Sequence, residues 1–238
     1  MCTITFIPLL KEEKGFVVTS NRDESANRKT LPPKVVEEKG VKLLYPKDEV
    51  AGGTWIGASG KKRLICLMNG AFKPHQRKES YTTSRGVVVK EFLLADDVLN
   101  KSESYNFEGI EPFTMIMIVW KAGLEVYELI WDETKVYFNK LENEPHIWSA
   151  SMTYDEEMKK AREEWFKDFL EEKSTEVEDP DVMWDFHQNT KKEDKNLGLI
   201  IDRGLLKTTS ITQLIYSENR VEMRYRDLLK NKDYKEYF

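Results

Sequence analysis

The residue with the clearest chemical potential is Cys2, which follows the initiator methionine. Small second residues permit removal of that methionine, and the cysteine would then carry a thiol and a free α-amine. An α-amine titrates at about 7.7 to 8.0 and a cysteine thiol at about 8.5, so near neutral pH a neutral amine can accept the thiol proton. Nucleophile and base would then belong to one residue. The alternative is that Cys2 only begins an edge strand as a small hydrophobic residue.

A guanidinium and a carboxylate are predicted to lie near this thiol. Residues 3–10 and 15–19 are apolar runs on either side of a charged turn, a pattern that predicts a β-hairpin. Antiparallel pairing would bring residues 20–24 alongside the start of the chain. Arg22 could stabilise a thiolate, and Asp23 could hold the α-amine by a charge-assisted hydrogen bond. The alternative is a solvated turn whose surface ion pair contributes at most about 1 kcal/mol.

The rest of the pattern predicts a mixed α and β protein. Further strands are expected at 54–58, 63–68, 113–120, 124–131, 136–141, 146–152, 210–216 and 221–225, with 136–141 and 146–152 extending the sheet of 113–131. Helices are expected at 84–96, capped by Ser84, and at 182–188. A third is expected to begin with a capping box of Thr153 and Glu156 and to bury Met158, Ala161, Trp165 and Phe169, in a stripe widened by Phe166 and Leu170. No linker or repeat divides the sequence, which favours one domain over residues 1–238.

Composition excludes several classes of function. The 37 basic and 42 acidic residues give a net charge of -5, which argues against a protein that coats nucleic acid. No apolar stretch approaches the roughly 20 residues of a membrane span and no leader is visible, so we expect a cytoplasmic protein. Two cysteines without zinc spacing predict neither a disulfide framework nor a bound metal. We expect a small-molecule ligand or substrate and no cofactor; the oligomeric state stays open.

Several segments resemble a known family. Met1-Cys2-Thr3 and Asn21-Arg22-Asp23-Glu24 resemble the NRDE family, which is named from that tetrapeptide and includes eukaryotic transport-and-Golgi-organisation proteins. The similarity continues through residues 52–57, 67–70 and 84–86. That family is similar to the cysteine branch of the N-terminal-nucleophile hydrolases, which contains choloylglycine hydrolases and penicillin acylases. The resemblance implies an α+β fold, a four-layer αββα sandwich of two antiparallel sheets flanked by helices.

The resemblance also implies residue roles. Cys2 matches the nucleophile, Arg22 and Asp23 its basic and acidic partners, and Asn69 an asparagine that binds the oxyanion. The expected substrate contacts are Asn21, Trp55, Arg85, Ser149 and Ser151. The implied activity is hydrolysis or transfer of an acyl group from a small, linear, non-peptide amide or ester. The alternative is a noncatalytic binding or trafficking protein for haem or a lipid-like ligand on the same fold.

Overall fold

The computed structural model describes residues 3–11 and 14–238, and in them the chain forms fourteen strands and four helices. In chain order the elements are β1 Thr3–Pro8, β2 Phe16–Ser25, β3 Thr30–Glu38, β4 Val41–Asp48, β5 Ile56–Ser59, β6 Arg63–Asn69, α1 Arg85–Leu94, α2 Val98–Ser104, β7 Phe113–Val119, β8 Glu125–Trp131, β9 Val136–Leu141, β10 His146–Ser149, α3 Glu156–Glu172, α4 Pro180–Asn189, β11 Asp202–Arg203, β12 Leu206–Ser217, β13 Arg220–Asp227 and β14 Lys232–Tyr237. No helix among these is long and apolar enough to cross a membrane. The chain divides into a terminal unit, residues 1–28 and 144–238, and a central unit, residues 29–143.

The terminal unit is built on one antiparallel sheet in the order β10-β1-β2-β12-β13-β14, with β11 paired to β12. Thr3 at the start of β1 lies opposite Asn21 of β2 on one side and Ser149 of β10 on the other. The pairing of β2 with β12 shifts register between Thr208 and Ser210, which is a β-bulge. Helices α3 and α4 pack on one face of this sheet. The apolar contact joins strand residues Ile7, Val17 and Ile215 to helix residues Phe166, Met183 and Phe186.

The central unit is an antiparallel meander in the order β3-β4-β5-β6-β7-β8-β9. Helices α1 and α2 bury their apolar side chains in a cluster with Phe107, Phe113 and Trp131. The hydroxyl oxygen of Ser84 accepts a hydrogen bond from the backbone N–H of Val87 at 3.3 Å and caps α1, as predicted.

The predicted class, an α+β fold with two antiparallel sheets and flanking helices, is confirmed. The hairpin of β1 and β2 is also confirmed, but β2 is longer than predicted, so residues 20–24 are part of the strand. The expectation that residues 146–152 extend the sheet of β7 and β8 is wrong, since β10 pairs with β1. The sequence did not predict β3, β4, α2, β11 or β14.

Helix α3 differs from its prediction in two ways. Its N-cap is Asp155, whose carboxylate accepts from the backbone N–H of Met158 at 2.9 Å, so the capping box of Thr153 and Glu156 is wrong. Its buried positions are Arg162 and Phe166. Phe166 belongs to the predicted stripe and Arg162 does not, while Met158, Ala161, Trp165 and Phe169 are only half-buried. A cation therefore occupies the centre of the buried face of this helix.

Candidate active site

Asn21, Arg22 and Asp23 lie in the interior of the terminal sheet, because β2 is flanked by β1 and β12. Asn21 is fully buried, and Arg22 and Asp23 are only 4% and 2% exposed. The alternative of a solvated turn is therefore wrong. Burying polar side chains is costly unless each has a partner, so their hydrogen bonds define what this segment can do.

The Asp23 carboxylate accepts hydrogen bonds from two hydroxyl groups. The Tyr154 hydroxyl donates to Oδ2 at 2.5 Å, and the Thr208 hydroxyl donates to Oδ1 at 2.6 Å. Thr208 is the residue opposite Asp23, next to the bulge in β12. The bulge residue Thr209 donates its hydroxyl to the carbonyl oxygen of Arg22 at 3.1 Å. The bulge thus supplies neighbouring hydroxyls that hold both residues 22 and 23.

Asn21 is held by α4 through a buried histidine. Its Nδ2 donates to the carbonyl oxygens of His187 and Leu199 at 3.2 and 2.5 Å, so its Oδ1 can only accept. His187 Nδ1 lies 2.9 Å from that Oδ1 and must carry the ring proton, while Nε2 accepts from the Thr5 hydroxyl at 2.8 Å. Burial and, to a smaller extent, the positive charge of Arg162 together lower the pKa of His187 to about 3. The ring is therefore neutral at physiological pH.

Arg22 lies on the opposite face of β2 from Asn21 and Asp23, because successive side chains of a strand alternate between faces. It pairs in register with Ser210, and its guanidinium is 3.8 Å from the Glu24 carboxylate. Burial raises the pKa of Tyr225 to about 12, and the positive charge of Arg22 opposes that rise. The guanidinium and the Asp23 carboxylate therefore act on different faces of the sheet.

Arg162 of α3 is a buried functional candidate that the sequence reasoning missed. It donates a short hydrogen bond to the Thr3 hydroxyl oxygen. Its other donors reach the carbonyl oxygens of Leu197 and Gly198 at 3.0 and 2.7 Å. The guanidinium carbon lies 3.5 Å from the centre of the Tyr154 ring, a close cation–π contact. Since Tyr154 also binds Asp23, Arg162 links the start of β1 to the acidic residue of β2.

The other predicted residues of this unit lie along β10 and just after it. Ser149 ends β10, is half-buried and lies opposite Thr3. Ser151 is buried, and within the described residues its hydroxyl has no hydrogen-bond partner. The terminal unit therefore brings Asn21 and Ser149 to the two sides of Thr3. Cys2, the predicted nucleophile, lies outside the described residues.

Asn69, Trp55 and Arg85 belong to the central unit, where hydrogen bonds draw their segments together. The carbonyl oxygen of Pro112 accepts from the backbone N–H of Gly70 at 3.1 Å and from Arg85 Nη1 at 3.0 Å. Asn69 ends β6, is half-buried, and its side-chain amide makes no hydrogen bond within residues 3–11 and 14–238. Trp55 is buried just before β5.

The approach of the Trp55 segment to α1 depends on two glycines. The backbone N–H of Thr54 donates to the carbonyl oxygen of Gly86 at 3.1 Å. A Cβ atom added to Gly53 would lie 2.2 Å from the carbonyl carbon of Gly86, so no larger residue fits there without movement. This close contact joins the segment that carries Trp55 to the first turn of the helix that carries Arg85.

A metal site would need several histidine, cysteine or acidic side chains close together. In the described ranges, no group of three or more of them could hold a metal ion. Cys66 is a fully buried cysteine in β6.

The fold is similar to that of N-terminal-nucleophile hydrolases. An N-acylethanolamine-hydrolyzing acid amidase ortholog from Caenorhabditis elegans superposes with a TM-score of 0.62 at 12% identity, over 90% of this chain and 92% of that one. A variant of conjugated bile acid hydrolase from Clostridium perfringens gives 0.61 at 9% identity, over 99% and 92%. Penicillin V acylase from Agrobacterium tumefaciens gives 0.51 at 10% identity, over 98% and 85%. At these identities the similarity establishes the fold alone.

The sequence itself gives the family. The profile of the Transport and Golgi organisation 2 family matches residues 1–226, and the chain belongs to that family. The resemblance drawn from the Asn21-Arg22-Asp23-Glu24 segment is confirmed. Curated proteins give no significant match in sequence.

Proposed function

We propose that this chain is an N-terminal-cysteine hydrolase or acyltransferase that acts on a small, linear, non-peptide amide or acyl ester. The observation that carries the proposal is the environment of Thr3, the residue that directly follows Cys2. Thr3 lies between Asn21 and Ser149 in the sheet and binds the buried guanidinium of Arg162. The ordinary start of an edge strand needs no buried polar groups of this kind, whereas a nucleophile must be held in a fixed geometry.

The reaction would begin after removal of Met1. The neutral α-amine of Cys2 accepts the thiol proton, and the sulfur attacks the substrate carbonyl carbon. The carbonyl electron pair moves to oxygen, and an N–H donor stabilises the oxyanion. When the carbonyl re-forms, the leaving amine or alcohol departs with the proton from the α-ammonium group and leaves a thioester. Water, or a second acceptor, then attacks the thioester, and the thiol is regenerated.

Asn69 is the proposed oxyanion donor. Its support is the family resemblance and a side-chain amide that is not engaged elsewhere in the described part of the chain. Removing a single oxyanion donor costs about 2.7 to 4 kcal/mol of transition-state stabilisation in known cases. Asn69→Ala should therefore lower the rate of acylation by about a hundredfold or more.

Asn21, Arg22 and Asp23 have different proposed roles. Both amide hydrogens of Asn21 are donated to backbone carbonyls, which favours a positioning role over the substrate contact expected from the sequence. Asp23 is fixed by two hydroxyl donors and is suited to receive an ammonium group. Arg22, on the other face of β2, is suited to stabilise a thiolate or a developing negative charge. Trp55, Arg85, Ser149 and Ser151 stay proposed substrate contacts.

The test is acyl-enzyme formation with a p-nitrophenyl acyl ester, followed by intact mass and by nitrophenolate release. The protein lacking Met1 should gain one acyl group with a burst of nitrophenolate, and Cys2→Ala should gain none. Cys66→Ala is the matched control, because it removes the only other thiol in the chain and should still be acylated. Equal acylation of the wild type and Cys2→Ala would refute the proposal. Lack of acylation in correctly processed wild type would instead favour the noncatalytic ligand-binding alternative.

A further inference from the structure

Arg162 is an unusual residue to find at the centre of a buried helix face. It is fully buried, and in the described parts of the chain no carboxylate forms a salt bridge with it. Two carbonyl oxygens, one hydroxyl and one aromatic ring stabilise the cation instead; they belong to Leu197, Gly198, Thr3 and Tyr154. A buried cation is costly and is commonly paired with an anion, so this arrangement keeps an unneutralised positive charge next to Thr3.

We propose that Arg162 is a positioning residue of the N-terminal site, which fixes Thr3 and Asp23 and whose positive charge favours the deprotonated amine and thiol of Cys2. The inference rests on the proposed function. Thr3 is joined to Cys2 by a peptide bond, and Asp23 is reached through the Tyr154 hydroxyl. A positive charge disfavours a nearby ammonium group and favours a nearby thiolate. The first effect raises the fraction of neutral amine that can act as a base near neutral pH, and the second raises the fraction of thiolate.

The positive charge of Arg162 also affects a second ionisable group of this site. His187 lies on α4, and the charge of Arg162 adds to the effect of burial in lowering its pKa. The charged and titratable side chains described around this end of the sheet are Arg22 and Asp23 of β2, Tyr154, Arg162 of α3, His187 of α4 and Arg203 of β11. His187 is neutral near physiological pH, so it adds no charge to this group.

Arg203 is a natural control for Arg162. It also lies against the Tyr154 ring, with its guanidinium carbon 5.3 Å from the ring centre. Its donors reach the carbonyl oxygens of Thr153 and Asn196, and it makes no described contact with Thr3. Arg203→Met thus removes a guanidinium from the same aromatic ring without touching the start of β1.

The first experiment measures the rate at which iodoacetamide alkylates Cys2 as a function of pH, read by peptide mass so that Cys66 is counted separately. Alkylation follows the thiolate fraction. Arg162→Met should shift the profile up by about one pH unit, a fall of about tenfold in rate at about pH 6.5. Arg162→Lys and Arg203→Met should stay near the wild-type profile. Identical profiles for Arg162→Met and wild type would overturn the proposal. This readout needs no acyl turnover, so it separates failure of this inference from failure of the proposed function.

A second pair of variants keeps the buried cation in place in case Arg162→Met does not fold. Thr3→Val removes the hydroxyl that accepts from Arg162 with little change in shape, and Thr3→Ser keeps it. Thr3→Val should lower the acylation rate constant about tenfold with little change in KM, and Thr3→Ser should restore most of it. Equal acylation rates in Thr3→Val, Thr3→Ser and wild type would overturn the positioning role.

Discussion

Replacing His187 by glutamine should make the stability of the protein much less sensitive to acid. The folded protein holds His187 neutral, with a pKa of about 3, whereas an unfolded histidine titrates near about 6.5. Below about pH 6.5 the unfolded chain binds a proton that the folded chain cannot, so this contribution to stability is present above that pH and is lost as the pH falls toward 3. Between about pH 7 and about pH 5 the loss is about 2 kcal/mol.

Glutamine is the informative substitute because it can replace both hydrogen bonds without titrating. Its amide N–H can donate to Asn21 Oδ1 and its oxygen can accept from the Thr5 hydroxyl, as the neutral imidazole does. Urea unfolding at both pH values would give the free energies of unfolding for wild type, His187→Gln and His146→Gln. His146 is half-buried on β10, and its variant is the control for a histidine-to-glutamine substitution outside this hydrogen-bond network.

We expect wild type to lose about 2 kcal/mol more than His187→Gln over this pH interval. Equal losses in the two proteins would refute the neutral, doubly hydrogen-bonded histidine.

Three further substitutions test separate parts of the structure by urea unfolding. Tyr154→Phe removes a hydroxyl donor from the buried Asp23 carboxylate and should cost about 1 to 3 kcal/mol; an unchanged free energy of unfolding would contradict that hydrogen bond. Ser84→Ala removes the N-cap of α1 and should cost about 1 kcal/mol, and no loss would mean that the cap contributes nothing. Gly53→Ala should cost about 3 kcal/mol because its Cβ atom would meet backbone at 2.2 Å, whereas Gly123→Ala points into open space and should be near neutral; equal effects would contradict the close approach.

The sequence predicts the elements whose apolar pattern is regular and local. Strand β9 has the predicted bounds, and β7 and β8 differ from theirs by one residue at one end. The missed strands have a different composition. Strand β3 is an edge strand whose Pro32 and Pro33 coincide with a shift of register, since a proline cannot donate to the ladder. Strand β14 is an edge strand of the terminal sheet, and most of its residues are charged. Charged residues protect an edge strand from pairing with another chain, but they leave no alternation of apolar residues by which the strand could be predicted.

The sequence predicts only the part of the candidate site whose residues are neighbours along the chain. Asn21, Arg22 and Asp23 form one short segment, which could be recognised, but their partners come from distant parts of the chain. Tyr154 and His187 are 131 and 166 residues away from Asp23 and Asn21. The sequence does not distinguish a buried histidine or tyrosine from an exposed one, so these partners can be identified only from their contacts in the folded structure.

Arg162 could have been found by one signal, its position on α3. It falls four residues before Phe166, and residues four apart share one face of a helix. The prediction missed it because the buried stripe was drawn from apolar residues alone. Arginine is the basic residue best suited to burial, since its planar fork can satisfy several carbonyl groups at once.

The alternation of side chains along β2 changes how the acidic and basic residues of this segment can act. If residues 20–24 were a turn, Arg22 and Asp23 could converge on a single point, but in a strand they face opposite sides of the sheet. Asp23 belongs to the helix-covered side, where Tyr154 connects it to Arg162 and thereby to Thr3. Variants of Arg22 and Asp23 should therefore show additive effects on acylation, because the two side chains act through different faces of the sheet. Coupling should appear instead between Asp23 and Arg162, and a double-mutant cycle over those two positions would reveal it.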